Sequence, residues 1–179
     1  LNRPNLLLKL LDNLYRQTLR PDLIIICDAS DANKKINPSI HFDRNFNIKY
    51  IHSEFRSAAK QRNLALNELR YKYKYLAIMD DDVIVDNNYL EKTINLLADE
   101  NVVGVSGLAN SINREINSIG FVNYLKRIFI LDSKFKGTVT KSGINVPVLD
   151  SSPLDSKVDV RWLIGCSVWN YSKIHNLKF

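Results

Sequence analysis

Three consecutive carboxylates, Asp80, Asp81 and Asp82, follow the apolar run Tyr75-Leu76-Ala77-Ile78-Met79. Two carboxylates about 4 Å apart repel by roughly 4 kcal/mol at an effective dielectric of 20. Such a cluster at a strand end calls for a counter-charge, and a bound divalent cation is the commonest. Hard oxygen ligands in this pattern suit Mg²⁺ or Mn²⁺ holding a phosphorylated ligand. In open α/β sheets ligands sit outside the carboxyl ends of the strands, where these aspartates would lie. The alternative is a solvated acidic turn before the next helix. A second acidic strand end comes earlier, where "LIIIC" (23–27) closes on Asp28-Ala29-Ser30-Asp31.

The elements that must position these groups follow from periodicity. Leu6, Leu7, Leu10, Leu11 and Leu14 recur at helical spacing behind Pro4, a residue tolerated in a first turn. "LIIIC" and "YLAIM" (75–79) read as strands buried on both faces, and "NIKYIHS" (47–53) as a more polar one. Residues 55–70 and 88–99 carry helical patterns, and "VVGVSGL" (102–108) is a further strand. This order predicts an α/β fold with a mostly parallel, doubly wound sheet flanked by helices. Beyond residue 110 the pattern is weaker. The amphipathic stretch 119–131 would cap the core or meet a membrane surface or partner, with capping favoured. Residues 136–148 would form a small antiparallel piece or a long loop. "VDVRWLIGCSVWN" (158–170) is strand-like and broken at Gly165, with Trp162 either a sugar platform or core.

The 179 residues suffice for one α/β domain with a real core. The net charge of +6 is scattered, with concentrations at 70–75, 125–127 and 134–137. That pattern fits anionic ligands or an anionic membrane surface and argues against nucleic acid. Cys27 and Cys166 sit in apolar runs and read as reduced core thiols, which suggests a cytoplasmic protein, either free or at the inner face of the membrane. No apolar run approaches the roughly 18 residues of a spanning helix. His41, His52 and His175 are isolated. A haloacid-dehalogenase phosphatase would place Thr where Ile84 stands, a receiver domain has no use for residues 110–179, and a nucleotidyltransferase would open on a Gly-rich basic loop.

Through four stretches the chain resembles a family 2 glycosyltransferase of the GT-A type. The opening "LNRPNLLLKLLDNLYRQTLRPDLIIICDASD", "SAAKQRNLALNE", the DXD segment "YLAIMDDDVIVDNNYLEK" and "VRWLIGCSVWNYSKI" occur in the family's order. The resemblance implies a GT-A domain over 1–179, with a nucleotide-binding half (1–110) and an acceptor-side half (111–179) that is irregular or antiparallel. There are departures. Leu1 stands where the family has Tyr after its first strand, Cys27 replaces an acid, a Gly is missing before Ala58, and Cys166 replaces a Gly. The expectation is therefore a fragment that lacks the first strand beside the DXD strand and a Glu-Asp base motif beyond Phe179, inactive alone.

The resemblance also implies roles. Asp82 and Asp80 would ligate Mn²⁺ or Mg²⁺, with Asp80 and Asp81 also contacting the nucleotide-sugar. Asp28 would accept a hydrogen bond from the base and favour uracil or thymine. Arg62 would pair with phosphate, or be a plain surface arginine. Trp162, Gly165 and Cys166 would shape the sugar or acceptor pocket. The expected activity is metal-dependent, inverting transfer from a UDP- or dTDP-sugar to a saccharide or lipid-linked acceptor in polysaccharide or glycoconjugate synthesis. The alternative is a non-catalytic nucleotide-binding module of the same fold.

Overall fold

The computed structural model describes residues 2–36, 46–69, 73–107, 137–140, 142, 145, 158–163, 165–174 and 176. The chain divides into two compact units, 1–105 with 165–179, and 106–164. In the first unit, helix α1 (Pro4–Tyr15) leads into strand β1 (Ile24–Asp28). A single 3₁₀ turn (Ala32–Lys34), β2 (Ile48–His52), α2 (Ala58–Asn67) and β3 (Tyr75–Ile78) follow. Then come α3 (Tyr89–Leu96), β4 (Gly104–Val105), β5 (Ser167–Asn170) and the short α4 (Tyr171–Ile174).

The α/β order is as expected, but the sheet is only partly parallel. β1 and β2 pair in parallel, Ile26 opposite Tyr50 and Asp28 opposite His52. β3 instead belongs to an antiparallel sheet of order β3-β5-β4, with Tyr75 opposite Asn170 and Gly104 opposite Trp169. The reason is connectivity. β5 arrives after the whole 106–164 excursion and runs back between β3 and β4, a direction that period-2 patterning cannot encode. Among the described residues, β1 has no ladder partner on the side away from β2, nor β3 on the side away from β5. The expected burial on both faces is not met either: Ala77 is exposed, and of β1 only Ile26 is fully buried.

Alternation along the strands still sorts side chains to two faces. Ile24, Tyr75 and Val168 join a cluster with Leu10 and Leu14 of α1, Leu90 of α3, Phe46 and Leu97. Their sequence neighbours Ile25, Leu76 and Trp169 join Leu69, Tyr171 and Ile174 on the other face. One strand layer thus lies between two helical layers. α1 does more than bury leucines. Asn13 on it and Gln17 just past its end fasten the segment that follows β3: Asn13 Nδ2 donates to the Val85 carbonyl at 2.9 Å, and Val85 N donates back to Asn13 Oδ1 at 3.0 Å. Gln17 Nε2 donates to the Asp86 carbonyl at 2.8 Å, while its Oε1 accepts from Leu90 N at 3.1 Å. The last bond satisfies one of the free N–H groups at the start of α3, whose Asn88 makes no side-chain cap.

In the second unit an isolated antiparallel bridge joins Val139 to Asn145, and Arg161 N donates to the Gly137 carbonyl at 2.8 Å. The antiparallel piece expected at 136–148 is represented there by this bridge. The stretch 119–131, His41, His175, and residues 70–72 and 134–136 of the basic concentrations lie outside the described residues. No helix among the described residues is long and apolar enough to cross a membrane.

The packing makes one stability prediction. Leu11 is 1% exposed and Leu19 is 41% exposed. Leu11→Ala should cost about 2–5 kcal/mol, and Leu19→Ala less than about 0.5 kcal/mol, as read from denaturant midpoints. Equal losses at the two sites would contradict this placement of α1.

Candidate active site at the strand ends

β3 ends at Ile78, and Met79, packed against the core, delivers the chain to the three aspartates. Each of them holds a guanidinium. Arg62, on α2, donates Nη2 to Asp80 Oδ1 at 2.9 Å. Arg3, which caps the start of α1, donates Nη2 to Asp81 Oδ1 and, at 3.0 Å, Nη1 to Asp82 Oδ2. The hydrogen bond to Asp82 and the charge of Asp81 push the Arg3 pKa further up, so this cation is permanent. Asp81 is the most enclosed of the three, at 25% side-chain exposure against 51% for Asp82.

Gly165 approaches the same aspartates from the far end of the sequence. A Cβ on Gly165 would lie 2.3 Å from Asp80 Oδ2, so any larger residue there would push the Asp80 carboxylate out of its place. The adjoining Cys166 is buried. Burial raises its thiol pKa, and its carbonyl accepts from Tyr89 OH at 3.3 Å.

At the end of β1, Asp28 is braced from both sides. Its Oδ1 accepts from Ser30 N at 2.9 Å and Ser30 Oγ at 2.6 Å, and its Oδ2 from Tyr50 OH at 2.6 Å. Burial works to raise the Asp28 pKa, but the bonds from Ser30 and Tyr50 outweigh it, and the carboxyl is held below its ordinary range. Burial and the Asp28 bond together raise the Tyr50 pKa. Asn2 ties this end to α1. Its N–H donates to Ser30 Oγ at 2.7 Å, and its side chain exchanges hydrogen bonds with Asp31 at 2.8 and 3.0 Å. Asn2 adopts φ 58°, the left-handed region that Asn tolerates better than most residues.

The two strand ends share one shallow cleft. Asp28 and Ser30 line it from β1, Asp81 from β3, and Arg3 and Leu7 from α1, with Ile36 beside them. Of the residues singled out from the sequence, Asp28 and Asp81 meet at this cleft, and Arg62 and Gly165 both meet Asp80. Trp162 is half-buried in the second unit. Arg3, Ser30 and Tyr50 carry much of the geometry, yet their sequence context assigns them no role. Ser30, two residues after Asp28, does bear a turn signal. Arg3 and Asp82 are separated by 79 positions, and no spacing rule reaches that far.

Among the described residues no group of three or more His, Cys, Asp or Glu converges on an ion position. As donors, however, Asp80, Asp81 and Asp82 are hard oxygens that suit Mg²⁺ or Mn²⁺. Asp80 Oδ2, turned toward Gly165, is not the oxygen that Arg62 holds. By chemistry the donors suit a divalent cation, but holding one would require Arg3 to give up part of its hold and the carboxylates to turn toward a common point.

The family model described as glycosyl transferase family 2 matches residues 1–150. No curated protein and no solved structure matches the chain. The matched span contains the Asn2-Arg3 opening, Asp28, Arg62 and all three strand-end aspartates, and it stops short of Trp162, Gly165 and Cys166. The match covers most of the chain, and its reaction is the transfer of a sugar from a nucleotide-sugar donor to an acceptor: the chain belongs to glycosyl transferase family 2.

Proposed function

We propose that the cleft at the ends of β1 and β3 takes a UDP- or dTDP-sugar, and that the sugar passes with inversion to a saccharide or lipid-linked acceptor in polysaccharide or glycoconjugate synthesis. The single observation that carries this reading is the shared cleft. The acceptor oxygens of Asp28 and the charges of Arg3 and Asp81 line the same depression. Asp28, held ionised, accepts an N–H from the base. Asp80 and Asp82 would hold Mg²⁺ or Mn²⁺, which supplies charge neutralisation for the departing diphosphate. Arg3 and Arg62 stand within reach of the same charge and hold or release the aspartates as the ligand arrives. Gly165, by its contact with Asp80, brings the acceptor-side stretch against this loop. The scattered positive charge leaves room for peripheral contact with an anionic membrane surface at its cytoplasmic face.

Calorimetry on the intact chain tests the reading. UDP should bind more tightly with Mn²⁺ than without, and ADP weakly in both. Asp82→Asn should abolish the Mn²⁺-dependent part while leaving the melting temperature almost unmoved, because its ion pair is exposed. Undiminished Mn²⁺-dependent binding in that variant removes Asp82 from the metal site.

Gly165→Ala probes the other side. The clash falls on the flexible end of Asp80, so the fold should survive while Asp80 swings away from its position. Mn²⁺-dependent UDP affinity should drop by about tenfold, the loss of one charged hydrogen bond or ligand. Unchanged affinity would mean that Asp80 has no part in binding.

A further inference from the structure

Asp28 is acceptor-only when ionised, with about four lone-pair positions on its two oxygens. Three are already occupied: Ser30 N and Ser30 Oγ take Oδ1, and Tyr50 OH takes one side of Oδ2. Ser30 Oγ itself receives the Asn2 N–H, which commits its own proton to Asp28. Tyr50 reaches Asp28 because it stands opposite Ile26, two residues back on the same face of β1, a diagonal within range of an aromatic side chain. We propose that Tyr50 and Ser30 restrict Asp28 to a single further donor, so that the cleft accepts a base presenting one ring N–H between carbonyls and rejects guanine.

The selection is stereochemical. The N3–H of uracil or thymine needs one acceptor position, and the free side of Oδ2 supplies it. Guanine offers N1–H and its 2-amino group side by side, and their bidentate partner is a carboxylate with a position open on each oxygen. Oδ1 has none. Cytosine and adenine present a ring nitrogen lone pair on that edge, which an ionised carboxylate repels. The cations of the cleft, Arg3 and Lys34, act on the phosphates of any nucleotide alike and do not choose between bases. Tyr50 and Ser30 are thus positioning residues. The inference rests on Asp28 being the base-facing carboxylate of the proposed donor site.

Two measurements on the intact chain test it, the first with Tyr50→Phe, which keeps the ring and removes the donor. Without nucleotide, the Asp28 carboxyl carbon should titrate at higher pH in the variant than in the unaltered chain, because one bond to the charged form is gone. With nucleotide, the preference for UDP over GDP should narrow by about tenfold, one hydrogen bond's worth, in Ser30→Ala, which opens one of the two positions on Oδ1 while Ser30 N keeps the other. Tyr50→Phe frees only Oδ2 and should leave that preference nearly unchanged; Ser30→Ala should also raise the Asp28 titration and stands in there if Tyr50→Phe does not fold. An unmoved titration overturns the brace, and an unchanged UDP:GDP ratio in Ser30→Ala overturns the selectivity. Failure of the unaltered chain to bind either nucleotide overturns the donor reading and the selectivity with it, while the titration still decides the brace by itself.

Discussion

Three carboxylates in consecutive positions at a strand end repel one another, and cations beside them relieve that repulsion. In this chain the cations are two arginines from distant segments, Arg3 from the start of α1 and Arg62 from the second turn of α2. Much of the first unit's arrangement is bound up with that pairing. It brings the openings of two helices to the carboxyl edge of the strands, and it leaves the cluster with a single net negative charge. A divalent cation arriving there meets competition from guanidinium groups already in place. A diphosphate arriving with it would offer those guanidiniums a new partner. The arginines are therefore suited to exchange between aspartates and phosphates without leaving the site.

That exchange requires the loop itself to stay put while its charges change partners. The hydrogen bonds of Asn13 and Gln17 supply the anchorage, since they grip the backbone at Val85, Asp86 and Leu90 and touch none of the three aspartates. The apolar side of α1 packs against both strand groups through Leu10 and Leu14. One helix thus holds the sheet with its leucines, the loop after β3 with its amides, and the aspartates with the arginine at its head.

The parts of this arrangement that sequence made visible are the local ones. Helical leucine spacing located α1, apolar runs located β1 and β3, and the triple aspartate marked the loop. What stayed hidden depends on contacts between distant segments. The antiparallel course of β5 is set by where the chain re-enters after residue 164, and the patterning of "CSVWN" is the same in either direction. The exposure of Ala77 depends on what covers its face of β3, which the apolar run around it does not reveal. Tyr50 carries no signal of its own in the sequence, because its partner Asp28 lies on the neighbouring strand, 22 positions away. Gly165 read as a break in a strand, and only the nearness of Asp80 gives the break a purpose.

The two ends of the cleft are built from different interactions, and the difference has consequences for how each would respond to a ligand. At the Asp28 end the donors are a backbone amide and two hydroxyls, all uncharged and partly buried, so added salt does little to them. At the Asp80–Asp82 end the bonds are ion pairs between half-exposed side chains, which salt screens and a competing cation can displace. In the proposed reading, base recognition would fall on the preorganised acceptor, whereas the charged end is left able to rearrange. A donor held first by its base and then drawn in by its diphosphate makes use of both. The reverse assignment, with labile ion pairs reading the base, would forfeit the preorganisation on which selectivity depends.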